Sequence, residues 1–383
     1  PGPLSDRKRS PVPGTVHIKR FFLMATITTT SNPPAAKRSW VDILGSVWAW
    51  LFLGILLIVF TIGSPVFFTP VNLQNILANM ALLTIVAFGQ TFVIISGGID
   101  LSAGYVMGMV SVVAAMTMNR FPPDTPLWLV VLAGAMVGFI AAWIAGLVNG
   151  LLIARLNVPP FIATLGMFGI ARGVGFLFSG GMPVPVKVEG IGRLGNGYLL
   201  YFHPKAGWSF FTQPAGLVQA DMRQVVGVFP YVMLIMLVLL IVAHLLLSRS
   251  RFGLHTYAIG GNKEAALRAG IPVSRRLIMI YMLSATFAAC AGLVYNLRFT
   301  NGAANAGEAM LLDTVAAVVI GGASLFGGAG TVIGTLIGSL IIAVLANGLV
   351  ILNINPFWQF IAVGVVIILA VLIDQAREKL VRG

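Results

Sequence analysis

The sequence predicts an all-α fold, a polytopic membrane bundle of about ten transmembrane helices. Three observations indicate it: hydrophobic residues make up 58% of the 383 positions, charged residues make up only 9%, and long apolar runs recur along the chain. An ordinary soluble domain carries roughly 25% charged residues. A hydrocarbon core of about 30 Å needs roughly 20 apolar residues per helix, with every backbone polar group satisfied inside the segment. The lipid bilayer is therefore the expected solvent.

The ten predicted spans are apolar runs bounded by polar residues, glycine or proline. Two of them, 104–119 and 311–326, are short for a crossing, which favours helices that are tilted, broken or buried by neighbours. Two charged residues, Arg172 and Asp313, fall inside the runs. Three roles stay open for Arg172: its side chain extends to the membrane surface, it pairs with an acid, or it lines a pore. The predicted spans are 43–62, 73–95, 104–119, 127–154, 161–179, 225–247, 277–297, 311–326, 331–352 and 357–373.

Lysine and arginine are distributed unequally between the connections of these spans. With the N-terminus in the cytoplasm, twelve of the bases lie inside and six outside, which predicts that both termini are cytoplasmic. Six of the twelve fall within residues 248–276, and the polar stretch 180–224 lies outside. The formal charge of +13 is explained by this topology, and no nucleic-acid partner is expected because the bases have no interleaved aromatic residues.

The predicted domain organisation has four parts. Residues 1–23 hold five bases against one acid and precede a Met-Ala-Thr start at Met24, so they are interpreted as an artificial or misassigned extension. Residues 24–42 are expected to form a cytoplasmic tail, 43–373 the transmembrane domain, and 374–383 a second cytoplasmic tail. No short apolar region with a small-residue cleavage site precedes the first span, so no cleaved signal peptide is expected.

Two motifs recur in the same order and suggest an internal duplication. Residues 97–104 (G-G-I-D-L-S-A-G) and 321–328 (G-G-A-S-L-F-G-G) share the frame G-G-x-x-L-x-x-G, and the N-G…L-N motif of 149–157 recurs at 347–353. The unequal spacing predicts an extra span in the first copy. Glycine-interrupted segments in corresponding positions of two halves indicate a transport pathway near the membrane midplane. Inverted repeat, parallel repeat and chance matching in a glycine-rich chain all stay open.

The glycine motifs supply the candidate residues of a translocation pathway or gate. Paired glycines in membrane helices either allow close backbone approach or break the helix, so that freed N–H and C=O groups face a water-filled path. A carboxylate such as Asp100 is costly there unless it meets water, a cation or N–H donors, and its alternative role is to cap the next helix. Asp313, near the start of a span, has the same two interpretations. The candidates are Gly97, Gly98, Asp100, Ser102, Gly104, Asp313, Gly321, Gly322 and Ser324.

The basic connection 248–276 contains a short predicted helix with the frame E-A-A-x-x-x-G. Its residues favour helix, Asn262 is a suitable N-cap, negative charge at Glu264 suits the first turn, and Gly270 supplies a stop. Such a helix is either a plain connection or a ridge that fits a groove on a partner. The candidate coupling residues are Glu264, Ala265, Ala266, Arg268 and Gly270.

These motifs resemble those of a known family. Glu264-Ala265-Ala266 with Gly270 resembles the E-A-A-x-x-x-G loop of ABC importer permeases, and residues 97–104 resemble the G-G-I-D-L-S-x-G signature of the ribose, xylose and galactose permeases. The resemblance runs from about residue 70 to 373. It implies a type II-like permease subunit of the bacterial inner membrane, present as a homodimer or pseudo-dimer, with a cytoplasmic ATPase and a periplasmic sugar-binding protein as partners. The stretch 180–224 departs from the family pattern because it is long.

The implied function is ATP-driven import of a monosaccharide or related polyol by alternating access. ATP and Mg²⁺ are expected on the ATPase, because this chain has no G-x-x-x-x-G-K-[ST] loop, and no catalytic or metal-binding residue is expected here. A branched-chain amino acid or nucleoside permease is the nearest alternative. An ion-coupled transporter would need more ionisable residues in its spans, and a membrane enzyme would need a motif such as H-E-x-x-H, which the four scattered histidines do not form.

Overall fold

The computed structural model describes residue 2 and residues 40–214, 224–355 and 357–382. Apart from residue 2, the expected extension 1–23 lies outside this part of the chain, as does most of the expected tail 24–42. The described residues form thirteen helices: α1 Trp40–Gly63, α2 Pro70–Ile95, α3 Ala103–Met118, α4 Leu127–Ala154, α5 Pro160–Ser179, α6 Ile191–Asn196, α7 Tyr231–Ser248, α8 Arg251–Gly261, α9 Lys263–Arg268, α10 Val273–Phe299, α11 Met310–Ile320, α12 Val332–Ile351 and α13 Phe357–Arg382.

Six of the described helices are long and apolar enough to cross a membrane: α2, α4, α5, α7, α10 and α12. Shorter apolar helical segments lie in α1, α3, α11 and α13. All ten fall on predicted spans, but length and composition support six crossings and leave the predicted total of about ten unconfirmed. Three bounds differ clearly from the prediction: α11 ends at Ile320 instead of continuing to residue 326, α13 continues to Arg382, and α7 begins at Tyr231 instead of residue 225.

Local sequence explains where several helices begin and end. Proline at the first position, as at Pro70 and Pro160, starts a helix without losing a hydrogen bond because that N–H has no partner inside the helix. Thr331 caps α12 through its side chain, which accepts a hydrogen bond from the Gly334 N–H. α5 ends at Gly180, whose φ of 63° is left-handed and suits glycine.

The all-α prediction is corrected in the segment between α5 and α7. β2 (Tyr198–His203), β3 (Gly207–Phe210) and β4 (Val226–Pro230) form an antiparallel sheet in the order β3-β2-β4. A second, two-stranded pairing joins β1 (Val184–Pro185) to β5 (Asn301–Gly302). The strands are rich in aromatic and β-branched residues, which fit a half-buried pleated surface.

The predicted span 225–247 is therefore corrected at its N-terminal end. Its first residues belong to β4, and α7 begins only at Tyr231, directly after Pro230. The apolar run included β4 because a short strand and the start of a buried helix have the same hydrophobicity. Hydropathy alone does not separate them.

The two ends of the bundle differ. The short-helix end carries α8 and α9, and the sheet end carries β2, β3 and β4. α2 runs between them: near its start the side chain of Gln74 bonds the backbone of Gly227 in β4, and after its end lies the turn that contacts α8.

α2 is the central helix, with 94% of its most apolar 18-residue window buried inside the chain. Two polar contacts join it to α12. Asn72 and Asn347 exchange side-chain hydrogen bonds of 2.9 Å near the sheet end, and the hydroxyls of Thr91 and Thr335 lie 2.7 Å apart near the short-helix end. Hydrogen bonds between buried polar side chains hold membrane helices together where the hydrophobic effect cannot.

Candidate coupling surface and translocation pathway

α9 is a short helix on the surface of the short-helix end, as the sequence predicted. Asn262 caps it, since its Oδ1 accepts a hydrogen bond of 2.9 Å from the Ala265 N–H. Gly270 ends it with a left-handed φ of 79°, and the Ile271 N–H then donates to the Ala266 carbonyl. The local geometry of E-A-A-x-x-x-G is therefore a capped, terminated helical turn.

The side chains of α9 divide into one that faces the bundle and several that face solvent. Ala266 is 4% exposed and packs against the core. Glu264 and Arg268 have side chains 84% exposed, and their nearest charged atoms lie 3.7 Å apart. Ion pairs so exposed contribute little stability. The charges of α9 are thus available to a partner.

α8 connects this surface to the interior. A Cβ added at Gly260 would overlap the carbonyl oxygen of Ile95 and lie 2.6 Å from the amide nitrogen of Gly328. Those two groups bond each other, since the Gly328 N–H donates to the Ile95 carbonyl at 2.8 Å. The Tyr257 hydroxyl donates to the Gly330 carbonyl at 2.7 Å, and burial raises the pKa of Tyr257, which keeps that proton in place. α8 therefore touches the segments that follow both α2 and α11.

The two glycine motifs form the same kind of helix end. Gly97 and Gly322 both have left-handed backbones, with φ of 82° and 88°. The next N–H in each turn closes back on the helix, from Gly98 to the Val93 carbonyl and from Ala323 to the Val318 carbonyl. Gly97 is thus the structural equivalent of Gly322. The sequence alignment of the two motifs, which pairs Gly97 with Gly321, is therefore offset by one residue.

The second repeated motif lies at opposite ends of the bundle. Asn157 and Asn353 both have left-handed backbones, with φ of 53° and 56°. Asn157 lines a cavity of about 430 Å³ together with Gly97 at the short-helix end. Leu352, next to Asn353, packs against Gly63 at the other end. The extra helix in the first copy reverses the chain direction, so the two motif pairs do not define two superimposable halves.

Asp100 is enclosed by hydrogen-bond donors. It is 5% exposed, its Oδ1 accepts from the Ser102 N–H and hydroxyl at 2.9 and 2.6 Å, and its Oδ2 accepts from the Ser284 hydroxyl at 2.7 Å. The Asn149 amide in turn donates to the Ser102 hydroxyl at 3.0 Å. This network ties the turn to α4 and α10. Asp100 thus has the donors that a buried carboxylate needs, and its position fits a capping and fastening role.

The remaining glycine candidates allow close backbone approach. A Cβ at Gly104 would overlap the Gly307 carbonyl, and one at Gly321 would overlap the Gly334 carbonyl. Ser324 stays within its own turn, where its hydroxyl accepts from the Phe326 N–H. Of the candidates, Gly97 and Gly98 line the 430 Å³ cavity.

Asp313 lies away from the glycine turns. It is the fourth residue of α11 and lines a separate cavity of about 310 Å³, together with Asn79, Asn347 and Gln359. Eight residues of helix separate it from Gly321, which corresponds to roughly 12 Å at 1.5 Å per residue. The structure therefore does not bring Asp313 together with the other pathway candidates.

Metal binding has no support in the part of the chain that the structure describes. No group of three or more His, Cys, Asp and Glu side chains there could hold a metal ion. His255 is engaged by Arg276, whose Nε donates to its Nδ1 at 3.0 Å.

Sequence reasoning missed Gly260, Tyr257 and Ser284. The one available signal was the Gly260-Gly261 pair directly before the Asn262 cap, which resembles the other glycine pairs in a chain that uses them for close approach. Ser284 carries no local signal, because its partner Asp100 is 184 residues away.

Comparison with known proteins gives the family. Residues 72–371 match the family model described as the permease component of a branched-chain amino acid transport system. The chain belongs to this permease family. The match agrees with the resemblance seen from about residue 70 to 373, and no solved structure matches the permease.

Curated relatives of the permease carry sugar names. The ribose import permease protein of Bacillus subtilis is 37% identical over 332 residues, 85% of this chain and 92% of the relative. The galactose/methyl galactoside import permease protein of Escherichia coli is 35% identical over 358 residues, 90% of this chain and 98% of the relative. The fructose import permease protein of Rhizobium meliloti is 37% identical over 315 residues, 82% of this chain and 80% of the relative. Family and apolar helices together make this a multi-pass membrane permease, not an enzyme.

Proposed function

We propose that this chain is the membrane-spanning subunit of an ATP-binding cassette importer for a monosaccharide, a pentose, hexose or related polyol. The observation that carries the proposal is the contact of α8 with the turns that follow α2 and α11. A capped, solvent-facing helix, α9, is attached directly to this contact. The names of the relatives supply the substrate class.

In this mechanism the short-helix end faces the cytoplasm and receives the ATPase. Beside α9 lies an open cavity of about 590 Å³, lined by apolar side chains such as Leu267 and Ile271 and by the bases Arg155 and Arg275. An ATPase that binds this surface would move α8, and through Gly260 it would move both turns. Coupling by packed elements with two arrangements needs no covalent chemistry on this chain.

The remaining components follow from the same proposal. ATP and Mg²⁺ bind the ATPase, and a periplasmic binding protein delivers the sugar at the sheet end. A second copy of the permease completes the pathway as a homodimer. Both termini face the cytoplasm of a bacterial cell, and the chain lies in its inner membrane, in accord with the excess of bases that the short-helix end receives.

A branched-chain amino acid is the second candidate cargo, and it is favoured by the description of the matching family model. Uptake of labelled D-ribose, D-galactose, D-fructose and L-leucine by cells with the full transporter separates the two. The proposal requires a sugar to be taken up, and uptake of leucine alone would contradict it.

The coupling role is tested with Glu264→Arg. This change should abolish uptake while the protein level in the membrane stays normal, because it reverses a charge that faces the ATPase. Glu189→Arg, which reverses an exposed acid near the sheet end and so away from the ATPase surface, is the matched control and should keep the ATPase bound, which co-purification measures. Normal uptake by Glu264→Arg would refute the docking role. Uptake should also survive collapse of the proton gradient and stop when ATP is depleted.

A further inference from the structure

Arg172 is a charged residue on a side of α5 that its own chain leaves open. It is exposed, and it makes no ion pair within 4.0 Å among the described residues. It is the thirteenth of the 20 residues of α5, so roughly 18 Å of helix precede it and roughly 10 Å follow it. A guanidinium at this depth is costly against hydrocarbon, and such residues face water or protein instead.

The guanidinium is held at this depth by aromatic rings. Its Cζ lies 5.6 Å from the ring centre of Tyr105 and 6.0 Å from that of Phe176, one helical turn further along α5. Tyr105 itself packs edge-to-face on Phe168, one turn before Arg172, with 4.6 Å between ring centres. A snorkelling arginine would extend toward the nearer helix end. Arg172 lies instead between rings at the level of its own turn.

Tyr105 lies between Arg172 and an acidic side chain. The residue is 1% exposed, and its hydroxyl faces the carboxylate of Glu308, which is its polar partner there. Arg172 and Glu308 are both exposed, so each keeps hydrogen-bonding capacity that Tyr105 does not use. A guanidinium, a phenol and a carboxylate thus meet on one side of the bundle.

The adjoining surface of α5 has room for a ligand. A Cβ added at Gly166, Gly169 or Gly173 would meet nothing within 4 Å. These glycines recur at helical spacing on the side of α5 that includes Arg172. The surface is therefore open, and it carries the guanidinium of Arg172 among apolar side chains such as Ile170 and Leu177, which are 57% and 84% exposed.

We infer that Arg172 and Glu308, positioned by the buried Tyr105, form a contact site for a hydroxyl-rich solute inside a water-filled path along α5. This site rests on the proposed import function and assigns that path to residues outside the glycine motifs. The guanidinium donates hydrogen bonds and the carboxylate accepts them, which matches the paired donors and acceptors of sugar hydroxyls, and the phenol of Tyr105 holds the two groups in place. The ring of Phe176 supplies an apolar face beside them.

Water access is tested first, because it does not depend on transport. Single cysteines are placed at Gly173 and at Gly54 in a Cys290→Ala background of the complete transporter. Both glycines have open space for a side chain and exposed apolar neighbours, such as Ile170 beside Gly173 and Ile58 beside Gly54. They differ in charge, because Gly173 adjoins Arg172 and Gly54 has no charged residue within one turn. A sulfonate-bearing, membrane-impermeant thiol reagent should modify Gly173→Cys at least ten times faster than Gly54→Cys. Equal, slow rates at both positions would overturn the water-filled path.

Transport is tested with D-ribose, D-galactose and D-fructose as probes. Arg172→Gln and Tyr105→Phe should each lower the maximal uptake rate, by about tenfold for Arg172→Gln, while the amount of protein in the membrane and its thermal midpoint stay unchanged. Arg172→Lys should recover part of the rate because it keeps the charge and loses the planar fork. Uptake by Arg172→Gln within twofold of the parent would overturn the contact site.

The outcomes separate this inference from the proposed function. Wild-type transporter that takes up none of the three sugars, combined with fast labelling of Gly173→Cys, would refute the sugar function and support the water-filled path. Normal ATP-driven uptake with no labelling would do the reverse.

Discussion

Replacement of Gly260 by alanine tests whether α8 really contacts both turns. The new methyl group would overlap the Ile95 carbonyl and lie 2.6 Å from the Gly328 nitrogen, about 0.8 Å closer than the 3.4 Å at which ordinary contact begins. Relief requires the backbone of α8 to withdraw or the hydrogen bond between Gly328 and Ile95 to open. The first separates α8 from the turns, and the second separates the two turns from each other.

The expected loss of stability follows from the overpacking and from the loss of the hydrogen bond. Overpacking costs about 1–3 kcal/mol, and loss of one backbone hydrogen bond costs about 0.5–1.5 kcal/mol. Alanine is preferred to glycine in a helix by about 1 kcal/mol, which offsets part of this cost. Gly261→Ala removes that offset from the comparison, because Gly261 lies in the same helix and a Cβ there meets nothing within 4 Å. Gly260→Ala should therefore be about 2–4 kcal/mol less stable than Gly261→Ala.

The assay compares the two variants in detergent and in cells. The thermal midpoint of purified Gly260→Ala should fall clearly below that of Gly261→Ala, and ATP-driven uptake should fall in the first variant and persist in the second. If both variants have the same midpoint and the same uptake, the close packing of α8 on the turns is not present in the working protein.

Substitutions at three further positions address single contacts. Asp100→Leu should destabilise the protein by about 2–4 kcal/mol, because it leaves Ser284 and its other donors without an acceptor, whereas Asp100→Asn should be milder; thermal midpoints compare them. Tyr257→Phe should lower the free energy of unfolding by about 0.5–1.5 kcal/mol, because the hydrogen bond to Gly330 is lost. The parent protein should show no tyrosine-linked change in stability between pH 6 and 9, since the raised pKa of Tyr257 keeps its phenol protonated. Asn262→Ala should lower the free energy of unfolding by about 1 kcal/mol and speed amide hydrogen exchange in α9, because the N-cap is lost. Asn262→Asp should keep the cap.

The helices were readable from the sequence because the bilayer imposes their length. The run 127–154 is α4 to the residue, and 104–119 differs from α3 by one residue at each end. The small sheet was not readable as such, since β4 is apolar and adjoins the start of α7. Strand pairing depends on partners distant in the chain, and the pairs of β2 with β3 and β4 cannot be inferred from one hydropathy profile.

The site was predictable in its local parts and not in its assembly. The Asn262 cap and the Gly270 stop follow from short-range rules, and the structure has both. The equivalence of Gly97 with Gly322 was misjudged by one residue, because matching letters cannot show which glycine takes the left-handed backbone. The burial of Asp100 depends on Ser284, and such long-range partners are not visible without a fold.

The attachments of α2 determine which parts of the permease can move. Asn72 anchors it to α12 at one extremity, Thr91 does so further along, and the carbonyl of Ile95 receives a bond from the segment after α11 at the other. A helix fixed to its neighbours at these three points is not free to shift along its own axis. Rearrangements that open and close the protein should therefore leave α2 and α12 in fixed register and fall on peripheral helices such as α5 and α7, which share far fewer buried residues with their neighbours.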